Sequence, residues 1–365
     1  MEITQLGVVT GRHPVLNFVG RERKTVIGLV AAFSVAALLY PIPHVAMWLG
    51  FVFAAYSAVA NDSIQTIGTF IASNRNRPWW QMWLWIGGIF LLTAGYSWWT
   101  YSGDVSYQRL ASKGFSKAPT SFHFLQLAAP LFLVLLTRLR MPVSTTFLLL
   151  SCFASSGKSI GAVTTKSLSG YVIAFVCAFA LWATLGPRMK RWFRGEAAPL
   201  WRVGQWLTTG ALWSVWLMQD ASNIAVYLPR SLSVWEFGAF ATVVLIGLAV
   251  LLRMGGERIQ EVVEEKSHVV DVRAATVIDL LYAIILYIFK IQSKVPMSTT
   301  WVFVGLLAGR EIAMATRGCG VEGRDWLGAL RLAGRDLLYV VIGFLISLVL
   351  AALINPTVGR ALVGN

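Results

Sequence analysis

An all-α integral membrane protein, folded as an inverted repeat around two helical hairpins, is what this sequence predicts, and three observations predict it. Hydrophobic residues make up 56% of the 365-residue chain and charged ones 13%, with a mean hydropathy of +0.65. That balance leaves too little polar surface to cover a water-soluble core of this size. The phrase Pro-x-Ser-Thr-Thr occurs twice, at Pro142-Val143-Ser144-Thr145-Thr146 and Pro296-Met297-Ser298-Thr299-Thr300. An amide-acid segment precedes each copy. Asn61-Asp62-Ser63-Ile64-Gln65 places Asp62 80 positions before Pro142, and Gln219-Asp220-Ala221-Ser222-Asn223 places Asp220 76 before Pro296. Two separate matches at an offset of about 155 positions mark a duplication.

The elements follow from the apolar runs. Residues 1–24 are a polar lead ending in Arg21-Glu22-Arg23-Lys24, without the apolar core of a cleavable signal peptide. A first span at about 25–42 turns at Pro41-Ile42-Pro43-His44 into a second at about 46–73, which carries Asn61 and Asp62 near its middle. A third span at about 79–101 and a polar loop at 102–120 lead to the first hairpin, about 121–156, with Arg138-Leu139-Arg140 and the first Ser-Thr-Thr at its turn. The fourth span, about 167–186, ends in the basic run Arg188 to Arg194; the fifth, about 203–228, holds Asp220; the sixth is about 234–252. A charged loop at 253–273 precedes the second hairpin, about 274–312, and the last span is about 336–354. The hairpin arms are either re-entrant half-helices or complete spans, and their lengths leave both open.

The chain therefore divides into the lead (1–24), a first repeat (25–156), a second repeat (157–312), each of three spans and a hairpin, and a closing segment (313–365) of loop, final span and tail. With a cytoplasmic N-terminus, 20 of the 31 Lys and Arg fall in cytoplasmic segments, as the positive-inside rule requires. An odd number of crossings separates Asp62 from Asp220, so the two copies face opposite ways and can open one site alternately to either side. Trp79, Trp80, Trp98, Trp99, Trp201 and Trp326 fall near span ends, as interfacial anchors do. The net charge of +14 is spread over loops rather than gathered in a stripe, so it points away from nucleic acid. Cys152, Cys177 and Cys319, and four scattered histidines, have no disulfide or metal-cluster spacing.

Each Ser-Thr-Thr reads as a helix starting inside apolar surroundings. Proline tolerates a first helical position and Ser or Thr caps it, while the unpaired N–H groups of the first turn, with their partial positive charge, suit an anion. An ionised carboxylate at a helix centre in a membrane costs about 2.5–3.5 kcal/mol. Asp62 and Asp220 both incur that cost, and Gln65 and Asn223, three positions on, set side-chain oxygens one turn away on the same face. One charge and several oxygens suit a hard monovalent cation such as sodium; a carboxylate equally takes a proton. Bound cations offset the charge of an anion in a low-dielectric site, which is how coupling arises.

These residues resemble the inorganic phosphate transporter (PiT) family, which also includes sulfate permeases; the resemblance runs from about 46 to 312. It implies an inverted-repeat transporter fold in a cell membrane, with Ser144, Thr145, Thr146, Ser298, Thr299, Thr300, Asn61 and Gln219 around the anion. Asp62, Gln65, Asp220 and Asn223 would hold cations, sodium at Asp62 and Asp220. The implied activity is cation-coupled symport of a tetrahedral oxyanion, phosphate or sulfate, with sodium or a proton as the coupling ion and no cofactor. Phosphate keeps a proton near neutral pH and can donate it to a carboxylate, which favours it over sulfate. A homodimer is the assembly left open. The chain departs from the family pattern at Phe147 and Trp301, where the family has His, and at Gln65 and Gln219, where it has Asn.

Two other classes fit less well. A membrane-embedded phosphotransferase would need a nucleophile and base at a recognisable spacing, and none is present, so no enzyme is expected. An open anion channel would be poorly served by intramembrane acids. Arg138, Arg140, Lys158, Lys166 and Lys294 lie near the hairpins and read chiefly as interfacial anchors. Arg310 and Glu311 either pair or face the cytosol.

Overall fold

Apolar runs close into helices whose ends are set by the polar and proline residues between them. The computed structural model describes residues 22–112, 115–139, 143–153, 158–255, 271–292, 298–319 and 325–363. Helix α1 (Arg23–Leu39) is followed by α2 (Pro43–Ala58), which opens on a proline whose missing N–H has no partner to lose there. A π-helical turn, Val59–Ser63, joins α2 to α3 (Ile64–Ser73). Then come α4 (Trp79–Thr100), the single turn α5 (Arg109–Ser112), and the first hairpin, α6 (Phe124–Arg138) and α7 (Thr145–Ser151). Long helices α8 (Lys158–Trp192), α9 (Pro199–Ala225) and α10 (Val234–Arg253) follow, α10 starting in a Ser233/Glu236 capping box. The second hairpin is α11 (Val272–Ile285), which runs into a π-helical stretch Leu286–Gln292, and α12 (Thr299–Thr316). Helices α13 (Trp326–Ile354) and α14 (Pro356–Val363) close the chain.

Among the described residues there is no strand. Among the described residues, five helical segments are long and apolar enough to cross a membrane: Pro43–Ser63, Leu168–Trp192, Val234–Arg253, Val272–Phe289 and Trp326–Ile354. Large apolar side chains cover the outside, Trp99, Leu200 and Trp235 being 82%, 77% and 88% exposed. Water would penalise such a surface and lipid does not. The chain is an all-α, multi-pass integral membrane protein.

Packing is reciprocal between the hairpins. The helix after the first hairpin, α8, packs on the second arm of the second, α12; the helix after the second hairpin, α13, packs on the second arm of the first, α7. Likewise α2 packs on first arm α6, and α9 on first arm α11. Helices α8 and α12 run parallel at close range. Gly305 and Gly309 of α12 lie against the backbone of Tyr171 and Phe175 on α8, in that order, with Ala174 and Ala178 wholly buried. Small residues four apart let two membrane helices approach backbone to backbone, and a side chain at either glycine would collide with a carbonyl.

Two expectations on element limits are corrected. Helix α13 begins at Trp326, not 336, because Asp325 caps it, accepting from the Gly328 N–H at 2.8 Å; the polar first turns extend the helix beyond its apolar part. Helix α8 runs over 158–192, longer at both ends than the expected span of 167–186. The first hairpin's arms, 15 and 7 residues, are about 22 and 10 Å long, short of the roughly 30 Å hydrocarbon core. Neither arm, over its described residues, is long enough by itself to cross that core.

Candidate functional site

The two hairpin tips meet. The Thr300 hydroxyl, at the start of α12, donates to the Val143 carbonyl just before α7, at 3.2 Å. Around this contact lie both amide-acid segments. The Asn61 amide donates to Asp62 Oδ1 (2.6 Å), to the Val143 carbonyl (3.0 Å) and to Thr145 Oγ1 (3.3 Å), while its oxygen accepts from Thr137 (3.4 Å). On the other copy, Thr146 Oγ1 donates to Asp220 Oδ1 at 3.2 Å. The Asn223 amide donates to Thr146 Oγ1 at 2.9 Å and to Asp220 Oδ1 at 3.3 Å. Tyr282, on α11, donates to the Thr299 carbonyl at 2.9 Å.

The four segments expected to form a site are thus joined in one buried network. Asn61, Asp62, Gln65, Ser144, Thr145, Gln219, Asp220, Asn223, Ser298, Thr299 and Thr300 are each at most 5% exposed, and Thr146 is half-buried. Pro142, Pro296 and Met297, with Arg140 and Lys294, lie outside the described residues, as do the side chains of Lys158 and Lys166.

Two details differ from the expectation. Asp62 sits in the π turn rather than in a regular α-helix, so its spacing to Gln65 crosses a change of helical geometry. Such turns carry one residue more than the α repeat and recur at functional sites. Asp220 and Asn223 lie on continuous α-helix and do bond one turn apart. The Ser-Thr-Thr copies are also unequal. Ser144 spends its hydroxyl as a cap, accepting from the Phe147 N–H at 3.3 Å, and α7 is only seven residues long. Ser298 heads an 18-residue helix with no side-chain cap bond, so its first turn keeps the fuller dipole.

Polar atoms without partners mark what the site can hold. Among the described residues, eleven buried side-chain N and O atoms lack a hydrogen-bond partner, and seven belong to Ser63, Gln65, Gln219, Asn223 and Ser298. Five of the seven are oxygens: Ser63 Oγ, Gln65 Oε1, Gln219 Oε1, Asn223 Oδ1 and Ser298 Oγ. The other two are the amide nitrogens of Gln65 and Gln219. Each orphaned buried group costs about 1–3 kcal/mol. The oxygens, with two acids beside them, fit a hard cation; the amide nitrogens and the α12 start fit an anion.

One acid of this region, Asp279, was not foreseen. Asp279, on α11, accepts from the hydroxyls of Thr69 on α3 (2.6 Å) and Thr209 on α9, and is wholly enclosed. Its signal was a lone carboxylate in the apolar run of the second hairpin. Arg310 and Glu311 pair at 2.8 Å, both buried, with Arg310 over the Trp182 ring. Arg138 lies 3.8 Å from Glu22. Phe147 and Trp301 both pack on Phe344 of α13, at ring-centre distances of 4.8 and 6.1 Å.

No protein-family model matches the chain, and no curated protein matches it. One solved structure, described as the sodium-dependent phosphate transporter, is similar at a TM-score of 0.49 and 16% identity. The similarity covers 88% of this chain and 98% of that one. At that score and identity, what this chain binds is to be read from its own residues.

Proposed function

We propose that the chain is a secondary active transporter that carries an inorganic tetrahedral oxyanion, phosphate first, by symport with sodium or protons and alternating access. The observation that carries this reading is the joined network of two acids, two hairpin tips and seven partnerless buried atoms. An enclosed site that mixes orphan oxygens with orphan amide donors is matched by a cation and an anion together. Asp62 and Asp220, with Gln65 and Asn223, take the cation. Ser298, Thr299, Thr300, Ser144, Thr145, Thr146, Asn61 and Gln219 take the anion.

The reciprocal hairpin packing supports an inverted repeat of 25–156 and 157–312 within a cell membrane, and the clustered Lys and Arg favour a cytoplasmic end at 188–202 and 253–273. Hydrogen phosphate brings an O–H donor that orphan oxygens can accept, whereas sulfate brings acceptors only. Equilibrium binding to the purified protein tests this. Phosphate is expected to bind more tightly as sodium or protons are added, and to outcompete sulfate. Binding that ignores both cations overturns symport, and a preference for sulfate moves the substrate.

A further inference from the structure

One face of α3 is polar along its length. Gln65, Thr69 and Ser73 follow at four-residue steps, so their side chains lie one above another, with Thr66 beside them. From Asp62, in the candidate site, the row reaches Ser73 about 16 Å away along the axis. Thr66 and Thr69 are 1% and 3% exposed, so the row faces protein rather than lipid. Buried polar groups at that depth line ion and proton paths.

Asp279 meets this row midway. Its carboxylate accepts from Thr69 on α3 at 2.6 Å and from Thr209 on α9, which ties α3, α9 and α11 together at one point. One turn nearer the end of α3, the Gln205 amide donates to Ser73 Oγ at 2.6 Å and the Asn74 amide to Gln205 Oε1 at 2.8 Å. This single layer separates Asp279 from the basic end at Arg75 and Arg77, cytoplasmic in the proposed orientation. Toward the candidate site, the next side chain in the row is Gln65, whose amide nitrogen and oxygen are buried without a partner.

Asp279 is 1% exposed, and among the described residues no cation pairs with it. Helix α3 carries no ionisable side chain between Ile64 and Ser73. On α9, Arg202 is exposed, and Asp220 lies eleven residues beyond Thr209, about 16 Å along the axis. On α11, Arg273 pairs with Asp271, and Tyr282 bonds to the Thr299 carbonyl; Tyr287 in the following π stretch is exposed. On α12, Arg310 and Glu311 hold each other. On α8, Arg188, Lys190 and Arg191 are exposed, Cys177 is half-buried and Tyr171 packs on Trp301. A carboxylate kept ionised in such an enclosure is costly, and a proton on it removes the charge.

Resting on the proposed symport, we infer that Asp279 is a proton-binding site, the station through which a coupling proton passes from the Asp62 end of α3 to the cytoplasm. A proton arriving along the row forms an O–H bond on Asp279 while α3, α9 and α11 are closed over it, and one of the two threonine hydroxyls turns to accept from it. When the helices part, that bond breaks, the electron pair stays on the carboxylate and the proton goes to cytoplasmic water. Thr69 and Thr209 are positioning residues that hold the acid between the three helices.

Two measurements on the full-length protein test this. In infrared spectra of purified protein in nanodiscs at neutral pH, wild type is expected to show the carbonyl stretch of a protonated carboxyl group that D279N lacks. In proteoliposomes, D279N is expected to lose proton-driven accumulation of labelled phosphate yet keep exchange of labelled for unlabelled phosphate, which needs no net proton movement; D279E is expected to restore accumulation. Identical spectra, or D279N that accumulates phosphate like wild type, overturns the inference. Loss of exchange together with accumulation in both variants assigns Asp279 to packing and overturns it too. Wild type that accumulates phosphate under a sodium gradient alone overturns it and leaves symport standing, whereas wild type that accumulates under neither gradient overturns both.

Discussion

Replacing Gln65 by methionine tests the site through stability and binding at once. Gln65 is 3% exposed, and neither its amide nitrogen nor its oxygen has a partner among the described residues. At about 1–3 kcal/mol for each orphaned atom, the side chain costs the unliganded protein about 2–6 kcal/mol. Methionine has similar length and volume and nothing to satisfy, so Gln65→Met removes that cost without opening a cavity. In buffer free of phosphate and sodium, the variant is expected to melt above wild type, by about 2 °C for each kcal/mol recovered. The same change deletes a cation ligand and an amide donor, so phosphate uptake in proteoliposomes is expected to fall at least about tenfold, equivalent to about 1.4 kcal/mol. A Gln65→Met protein that melts below wild type yet transports normally refutes the reasoning, because the amide would then be a satisfied core group.

Gly305→Ala places a methyl against the Tyr171 carbonyl, so α12 has to move off α8; melting is expected to fall by the equivalent of about 1–3 kcal/mol, and wild-type melting would contradict the close packing. Glu311→Gln removes the carboxylate paired with the buried Arg310 and is expected to cost about 3–5 kcal/mol, with Arg310→Met in the same chain recovering much of it; thermal melts of the single and double variants decide. Asp271 caps α11 and pairs with Arg273 at 2.6 Å. Burial pushes its carboxyl up, but Arg273 and backbone N–H groups outweigh this and hold it below the ordinary 3.8. Its contribution is therefore fully present above pH 3.8 and lost as pH falls through the lower, folded value. Asp271→Asn is expected to flatten that acid limb of a melting-against-pH curve, and an unchanged limb would assign it to another group.

Much of this arrangement is legible in the sequence because it rests on short phrases with a strong local cause. Polar residues inside apolar runs have to find partners, so Asn61, Asp220 and the two Ser-Thr-Thr copies announce a buried junction before any coordinate is seen. The helix limits at Trp326 and Lys158 were hidden because hydropathy registers only the lipid-facing length, whereas caps such as Asp325 extend helices into the polar zone. The π turn at Val59–Ser63, which packs on the first hairpin arm and on α10, leaves no compositional trace. Asp279 was visible as a carboxylate but lacked the flanking amides that drew attention to Asp62, and its partners Thr69 and Thr209 come from elements far away in sequence. The departures at Phe147 and Trp301 acquire a physical reason only in three dimensions, where both rings share Phe344 and brace the two tips from behind.

Labelled phosphate uptake into proteoliposomes, with sodium and proton gradients imposed in turn and no other energy source, tests the central claim most directly. Accumulation above equilibrium under one of the two gradients, abolished by Asp220→Asn, is the predicted result. Flux that never exceeds equilibrium under either gradient, or accumulation that survives Asp220→Asn unchanged, would contradict it.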